Sequence, residues 1–160
     1  ILIPKMEKYL TQIANLGITK LLVPNITLHE TLDQFHFPMN ICHPITLTLK
    51  YLKENTISEV FLFGTAYTMN SDYIHRRFSE NNIHISLPTE ADQEWMDNFR
   101  KLVYAKKANS NQIAYFQMML KKYSCVNPVI IGCTELSLYS LNNDKLCIDM
   151  ADLQIEEFLR

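Results

Sequence analysis

Apolar positions along the chain fall into two alternating rhythms, one helical and one of short continuous runs, and together they predict helices separating buried strands. Behind Pro4, a residue suited to a helix start, Met6, Tyr9, Leu10, Ile13 and Leu16 recur along one helical face, and Gly17 stands where a C-terminal cap belongs. Residues 20–23 form a short apolar strand cut at Pro24. Residues 27–33 turn into a short helix, and Pro38, Asn40 and Pro44 mark an irregular connection. Helices are expected over 45–55, 72–81, 89–107, 111–122 and 135–141, and from Asp152 onward. Strands are expected over 60–63, ended by Gly64, over 83–86, over Val129–Ile131 behind Pro128, and over 146–148.

Strands that are apolar on both faces, separated by helices, imply an α/β protein with parallel sheets and flanking helices. Ligands in such sheets gather beyond the carboxyl ends of the strands. Three of those ends carry distinctive polar residues: Asn25-Ile26-Thr27-Leu28-His29, Gly64-Thr65-Ala66-Tyr67-Thr68, and Gly132-Cys133-Thr134-Glu135. Converging, they make one pocket of hydroxyls, backbone amides and a thiol, suited to a small carboxylate.

Cys133 carries the most chemistry. It closes a β-branched run, turns on Gly132 and is followed at once by a helix start. At that junction, unpaired backbone N–H groups and the helix dipole favour the thiolate, so the expectation is a reactive sulfur. A buried structural cysteine is the alternative reading of its position. Glu135 either assists proton transfer at Cys133 or is simply an acid in the first turn of a helix.

Composition narrows the function classes. At 160 residues, 48% of them hydrophobic and 20% charged, the chain is one domain's worth of globular protein. A net charge of −2 argues against nucleic acid or an acidic membrane surface as partner. No apolar stretch approaches the ~20 residues a membrane helix needs. Lys5, Glu7 and Lys8 interrupt the N-terminus too early for a signal peptide. Four cysteines without a CxxC pair suggest reduced thiols and a cytoplasmic setting. His29, His36 and His43 recur every seven residues beside Cys42, but Pro38 breaks any helix that would align them, so no metal site is expected. The opening Ile-Leu-Ile-Pro suggests a chain that begins part-way through something larger.

Taken in order, the strand-end motifs resemble those of the aspartate/glutamate racemase family, the cofactor-independent racemases. The family has Pro-Cys-Asn-Thr-x-His, then Gly-Thr-x-x-Thr followed by Ser-x-x-Tyr, then Gly-Cys-Thr-Glu or Gly-Cys-Thr-His. Here the second keeps its core as Gly64-Thr65-Ala66-Tyr67-Thr68, with Ser71 and Tyr73 one residue closer than in the family. The third is intact through Glu135, and Ile148-Asp149 matches the family's closing Ile/Leu-Asp. The first departs: Pro24-Asn25-Ile26-Thr27-Leu28-His29 has Asn25 at the cysteine and Ile26 at the asparagine, while Thr27 and His29 match.

The resemblance implies two similar lobes with the site between them: residues 1–43 with 145–160, and 44–144. The family's first strand is absent, which predicts either self-association to a homo-oligomer or a fragment of a longer protein. It implies an isomerase acting at the α-carbon of aspartate, glutamate or a similar small acid, with no cofactor. Cys133 would be the acid/base thiol, and Thr27, Thr65, Thr68 and Thr134 would clamp the α-carboxylate. His29 is a candidate at the family histidine, and Lys106 or Lys107 a candidate for a side-chain carboxylate. The family works with two cysteines on opposite faces of the α-carbon. Asn25 has neither an acidic proton nor a basic lone pair, so it can hydrogen-bond an intermediate but cannot replace a thiol. Two other readings follow from that loss: a single-cysteine decarboxylase of malonate-type acids, or a non-catalytic carboxylate-binding protein.

Overall fold

The computed structural model describes residues 2–141 and 146–160. Helix α1 (Leu2–Asn15) opens the chain, and Gly17 ends it at φ +74, the left-handed conformation a glycine tolerates. Strand β1 (Lys20–Leu21), a 3-10 turn (Ile26–Leu28), α2 (His29–Leu32) and β2 (Asn40–Ile41) follow. Next come α3 (Pro44–Glu54), β3 (Glu59–Phe63), α4 (Ala66–Met69), α5 (Asp72–Ser79) and β4 (His84–Ser86). The long helices α6 (Glu90–Tyr104) and α7 (Ser110–Ser124) lead to β5 (Val129–Ile131), α8 (Thr134–Ser137), β6 (Cys147–Asp149) and α9 (Met150–Leu159).

Two parallel sheets result, a pair β1-β2 and a four-stranded sheet in the order β4-β3-β5-β6. The period of two along a strand sorts the larger core into two layers. Val60, Leu62, Ile130 and Ile148 pack with Leu49 and Leu52 of α3 and with Ile74 and Phe78 of α5. Their neighbours Phe63, Val129 and Ile131 pack with Phe99 of α6 and Phe116 and Leu120 of α7 on the other face. Helices cover both faces, as the continuous apolar strands require. A third cluster, Leu10, Leu32 and Met39, seals α1 and the small sheet.

The short strand β2 was not foreseen, since two residues held only by pairing with Lys20 and Leu21 leave no pattern. The expected helix over 135–141 shrinks to the single turn α8. The segment expected with the first lobe behaves as a bridge. Its strand β6 pairs with β5 in the larger sheet, while the fully buried Gln154 of α9 donates to the carbonyls of Val23 (3.0 Å) and Cys42 (2.7 Å) beside the smaller one. The lobe boundary expected near residue 144 lies outside the described residues. Among those residues, no helix is long and apolar enough to cross a membrane.

Strand order fixes where a ligand site belongs. The chain leaves β3 for β4 on one side, then returns to place β5 on the other, so the direction of winding reverses between β3 and β5. That reversal opens a crevice at their carboxyl ends. The two residues that follow those ends are Gly64 and Gly132.

Candidate active site

Glycine at both positions lets the two strand ends close over one side chain. A Cβ on Gly64 would lie 2.9 Å from Thr68 Cβ, and one on Gly132 would lie 3.2 Å from Thr68 Cγ2. The Gly132 amide also donates to the Phe63 carbonyl at 2.7 Å. Thr68, 1% exposed, is thereby wedged between the ends of β3 and β5. Thr65 caps the single turn α4, its Oγ1 accepting from the Thr68 amide at 3.0 Å and meeting Thr68 Oγ1 at 2.9 Å.

Around this pair lies a half-open cleft of about 170 Å³. It is lined by Asn25 and Thr27 from the first strand end, Thr65 and Thr68 from the second, and Cys133, Thr134 and Glu135 from the third. The three motifs therefore converge as their strand-end positions require. Thr27 Oγ1 donates to Asn25 Oδ1 at 2.8 Å, which fixes the carboxamide at the mouth.

Two candidates from the sequence lie elsewhere. His29 is fully buried behind the cleft, its Nε2 2.9 Å from the Val23 carbonyl, and it supports the backbone just ahead of Pro24 and Asn25. Burial holds its ring below the usual imidazole range against the pull of that carbonyl and of Asp33. Lys106 is exposed, holds φ +56 just past the end of α6, and is not among the residues that line the cleft.

The cation that lines the cleft is Arg100. It lies one residue beyond Phe99, which faces the core, so helical spacing turns its side chain to the border of the buried face. Its Nε donates to Asp97 Oδ1 at 3.0 Å, and Asp97 also takes the Lys101 ammonium at 2.7 Å and the Ala66 amide at 3.3 Å. Burial would raise the Asp97 carboxyl, but these three donors hold it below its ordinary range. The Asp97/Arg100 pair at i,i+3 was visible in the sequence; its place at the cleft was not.

Cys133 is 4% exposed, and its thiol donates to Glu135 Oε2 at 3.1 Å, an oxygen that also accepts from Thr134 Oγ1 at 3.3 Å. The expected thiolate is corrected here. Burial, and then the Glu135 carboxylate, push the thiol up to about 12, outweighing the backbone amides of Leu136 and Glu135 that favour the anion. A one-turn helix supplies too little dipole to reverse that balance. In this state Cys133 is a neutral acid already joined to a proton acceptor.

The structure is thus an α/β protein with a polar cleft at the topological switch point of its larger sheet. Three solved structures that it resembles are of one kind. Over 99% of its length it matches 74% of a candidate Asp/Glu racemase from Yersinia pestis, with TM-score 0.82 and 19% identity. It matches an aspartate racemase homologue from Pyrococcus horikoshii at TM-score 0.74 and 18% identity, over 94% of this chain and 69% of that one. For the aspartate racemase of Picrophilus torridus the values are 0.72 and 20%, over 97% and 68%. No protein-family model matches the sequence, and no curated protein does. The chain thus has the fold of the aspartate/glutamate racemases.

Proposed function

We propose that the protein is an enzyme of racemase type that exchanges the α-proton of aspartate, glutamate or a similar small dicarboxylic amino acid on one face of the substrate, with Cys133 as its acid/base. The observation that carries this reading is the meeting, in one cleft, of the Thr65/Thr68 pair, the Cys133–Glu135 pair and Arg100. The threonine hydroxyls offer donors to an α-carboxylate. Arg100 offers a charged, forked donor to a second carboxylate, which favours acidic substrates over neutral ones.

The proton step follows from the resting state. Glu135 accepts the Cys133 proton, the resulting thiolate removes the α-proton from one face, and the same sulfur returns a proton to the planar intermediate. Cys133 is the one thiol among the cleft-lining residues, and Asn25 contributes only hydrogen bonds. The reading therefore gives Cys133 one face of the substrate and makes exchange faster for one enantiomer than for the other.

Proton NMR of L- and D-aspartate and L- and D-glutamate in D₂O tests it. Loss of the α-proton signal from one enantiomer with the wild-type protein, and no loss with Cys133→Ser, is the expected result. Equal exchange in Cys133→Ser, or none by wild type with any of the four, would refute it.

A further inference from the structure

A buried group that this chemistry leaves unused lies on the strand beside the one that leads to Cys133. Asp149 ends β6 in register with Ile131 of β5, the residue just before Gly132 and Cys133. It is 5% exposed. Its Oδ1 accepts from the Ala151 amide at 2.9 Å, capping α9, and from Ser137 Oγ at 2.9 Å. Its Oδ2 is buried and has no hydrogen-bond partner among the described residues. A cap alone needs only a serine or threonine hydroxyl, so a carboxylate with one oxygen stranded asks for a second reason.

Ser137 supplies it. Its Oγ lies 3.2 Å from the Cys133 carbonyl oxygen as well as 2.9 Å from Asp149. One hydroxyl proton serves one acceptor at a time, and the carboxylate is the closer and stronger. Ser137 closes α8, the single turn that also carries Glu135. Four residues cannot hold a helical turn by themselves, because nucleation fixes several dihedrals for one backbone bond. The turn is pinned at two points: Leu136, fully buried in the core, and Ser137, bound to Asp149.

We propose that Asp149 is a positioning residue for Cys133: through Ser137 it fixes the α8 turn, and with it the Glu135 carboxylate against the thiol. The inference rests on the reading of Cys133 and Glu135 as the proton-transfer pair. Burial keeps the Asp149 carboxyl at about 6, above its ordinary range, even with Ser137 and Ala151 donating to it. The link to Ser137 is therefore strongest above that pH, where the carboxylate is ionised.

The test reads the thiol itself, so it decides the matter even in a protein without turnover. Iodoacetamide labelling of Cys133 is followed by peptide mass spectrometry from pH 6.5 to 9.5 in the wild type, Ser137→Ala, Asp149→Asn, Glu135→Gln and the Ser137→Ala/Glu135→Gln double variant. Freed from the carboxylate, the thiol ionises more easily, so Ser137→Ala should label about tenfold faster at pH 8, with its pH dependence moved to lower pH. Glu135→Gln should do the same, and the double variant should add nothing further. Asp149→Asn leaves Ser137 only a neutral acceptor, so it should label faster than wild type, though less so than Ser137→Ala. Three results would overturn the proposal: labelling of Ser137→Ala no faster than wild type, a gain equal at every pH (simple opening of the turn), or full additivity with Glu135→Gln. Ser137→Ala removes one hydroxyl from a half-buried residue and is the variant most certain to fold, so the outcome does not hang on a disruptive change at Asp149.

Discussion

Gly64 gives the sharpest prediction about the site's architecture, because its constraint is a contact rather than a backbone angle. In Gly64→Ala the new methyl would lie 2.9 Å from Thr68 Cβ, 3.0 Å from Thr68 Cγ2 and 3.4 Å from the Gly132 carbonyl oxygen. Thr68 Cβ is fixed by the backbone of α4, so the turn itself must move. Overpacking of this kind costs about 1–3 kcal/mol. The Gly132→Ala methyl meets two side-chain tips, Thr68 Cγ2 at 3.2 Å and Leu62 Cδ1 at 3.4 Å, and touches the Phe63 carbonyl oxygen at an ordinary 3.5 Å, so it should cost less than Gly64→Ala. Thr68→Ser deletes Cγ2 and keeps Cβ. It should therefore restore Gly132→Ala almost fully and Gly64→Ala only in part. Urea unfolding followed by far-UV circular dichroism gives the midpoints of the wild type, the three single variants and the two doubles. Gly64→Ala at wild-type stability, or a complete rescue by Thr68→Ser, would show that the two strand ends do not close on Thr68 as described.

Three further outcomes follow from other parts of the structure. Arg100→Leu should raise the KM for acidic substrates about ten- to a hundredfold, as expected for a charged hydrogen bond, while leaving the Tm within a few degrees; an unchanged KM would remove Arg100 from the substrate site. Tyr123→Phe should cost about 2 kcal/mol in urea unfolding, because the hydroxyl donates to the buried Asp92 carboxylate at 2.6 Å and also accepts from the part-buried Thr89 amide at 3.0 Å. His43 caps α3 by accepting from the Thr46 amide through Nδ1, and burial, then neighbouring His29, hold its ring down to about 4 despite Asp33. The unfolded ring binds its proton near 6.5, so this contribution is complete above about pH 6.5 and is lost as pH falls toward 4, by up to roughly 3 kcal/mol. Asp149, held at about 6, works in the opposite sense over the same window but is common to both proteins compared. His43→Asn keeps a cap and should flatten the acid limb of the urea midpoint against pH; an unaltered limb would refute the assignment.

How much of this was legible in the chain depended on whether local pattern or distant packing decided it. The strands β3 and β5 were plain because Val60–Phe63 and Val129–Ile131 are apolar on both faces and stopped by glycine, a pattern that only a covered parallel sheet satisfies. Convergence of Thr27, Thr65, Thr68, Cys133, Thr134 and Glu135 followed from the rule for strand ends. Arg100 was missed because it stands on a helix thirty-odd residues from either motif, and no periodicity marks the turn on which a helix crosses the mouth of a cleft. His29 matched a motif yet faces inward. Its spacing from Asn25 is right, but a 3-10 turn at Ile26–Leu28 followed by α2 rotates it to the Val23 carbonyl.

The protonation of Cys133 marks the limit of that reading most clearly. Its place at a strand-to-helix junction could be read from four consecutive residues, and position alone left both a reactive thiolate and a buried structural cysteine open. The decisive terms are burial of the sulfur to 4% exposure and one Glu135 oxygen at 3.1 Å, and neither is a property of sequence spacing. With both present, the anion would face a carboxylate in a site poor in water, so the sulfur keeps its proton. The same two terms suit it to proton transfer. A thiol held next to its acceptor can become a base by passing one proton over 3.1 Å and an acid again by taking it back, without the cost of keeping a buried thiolate. In such a cleft a substrate carboxylate would add a further negative charge. Arg100 is the cation that lines it, so substrate binding and the ease of that proton shift are expected to depend on Arg100 together.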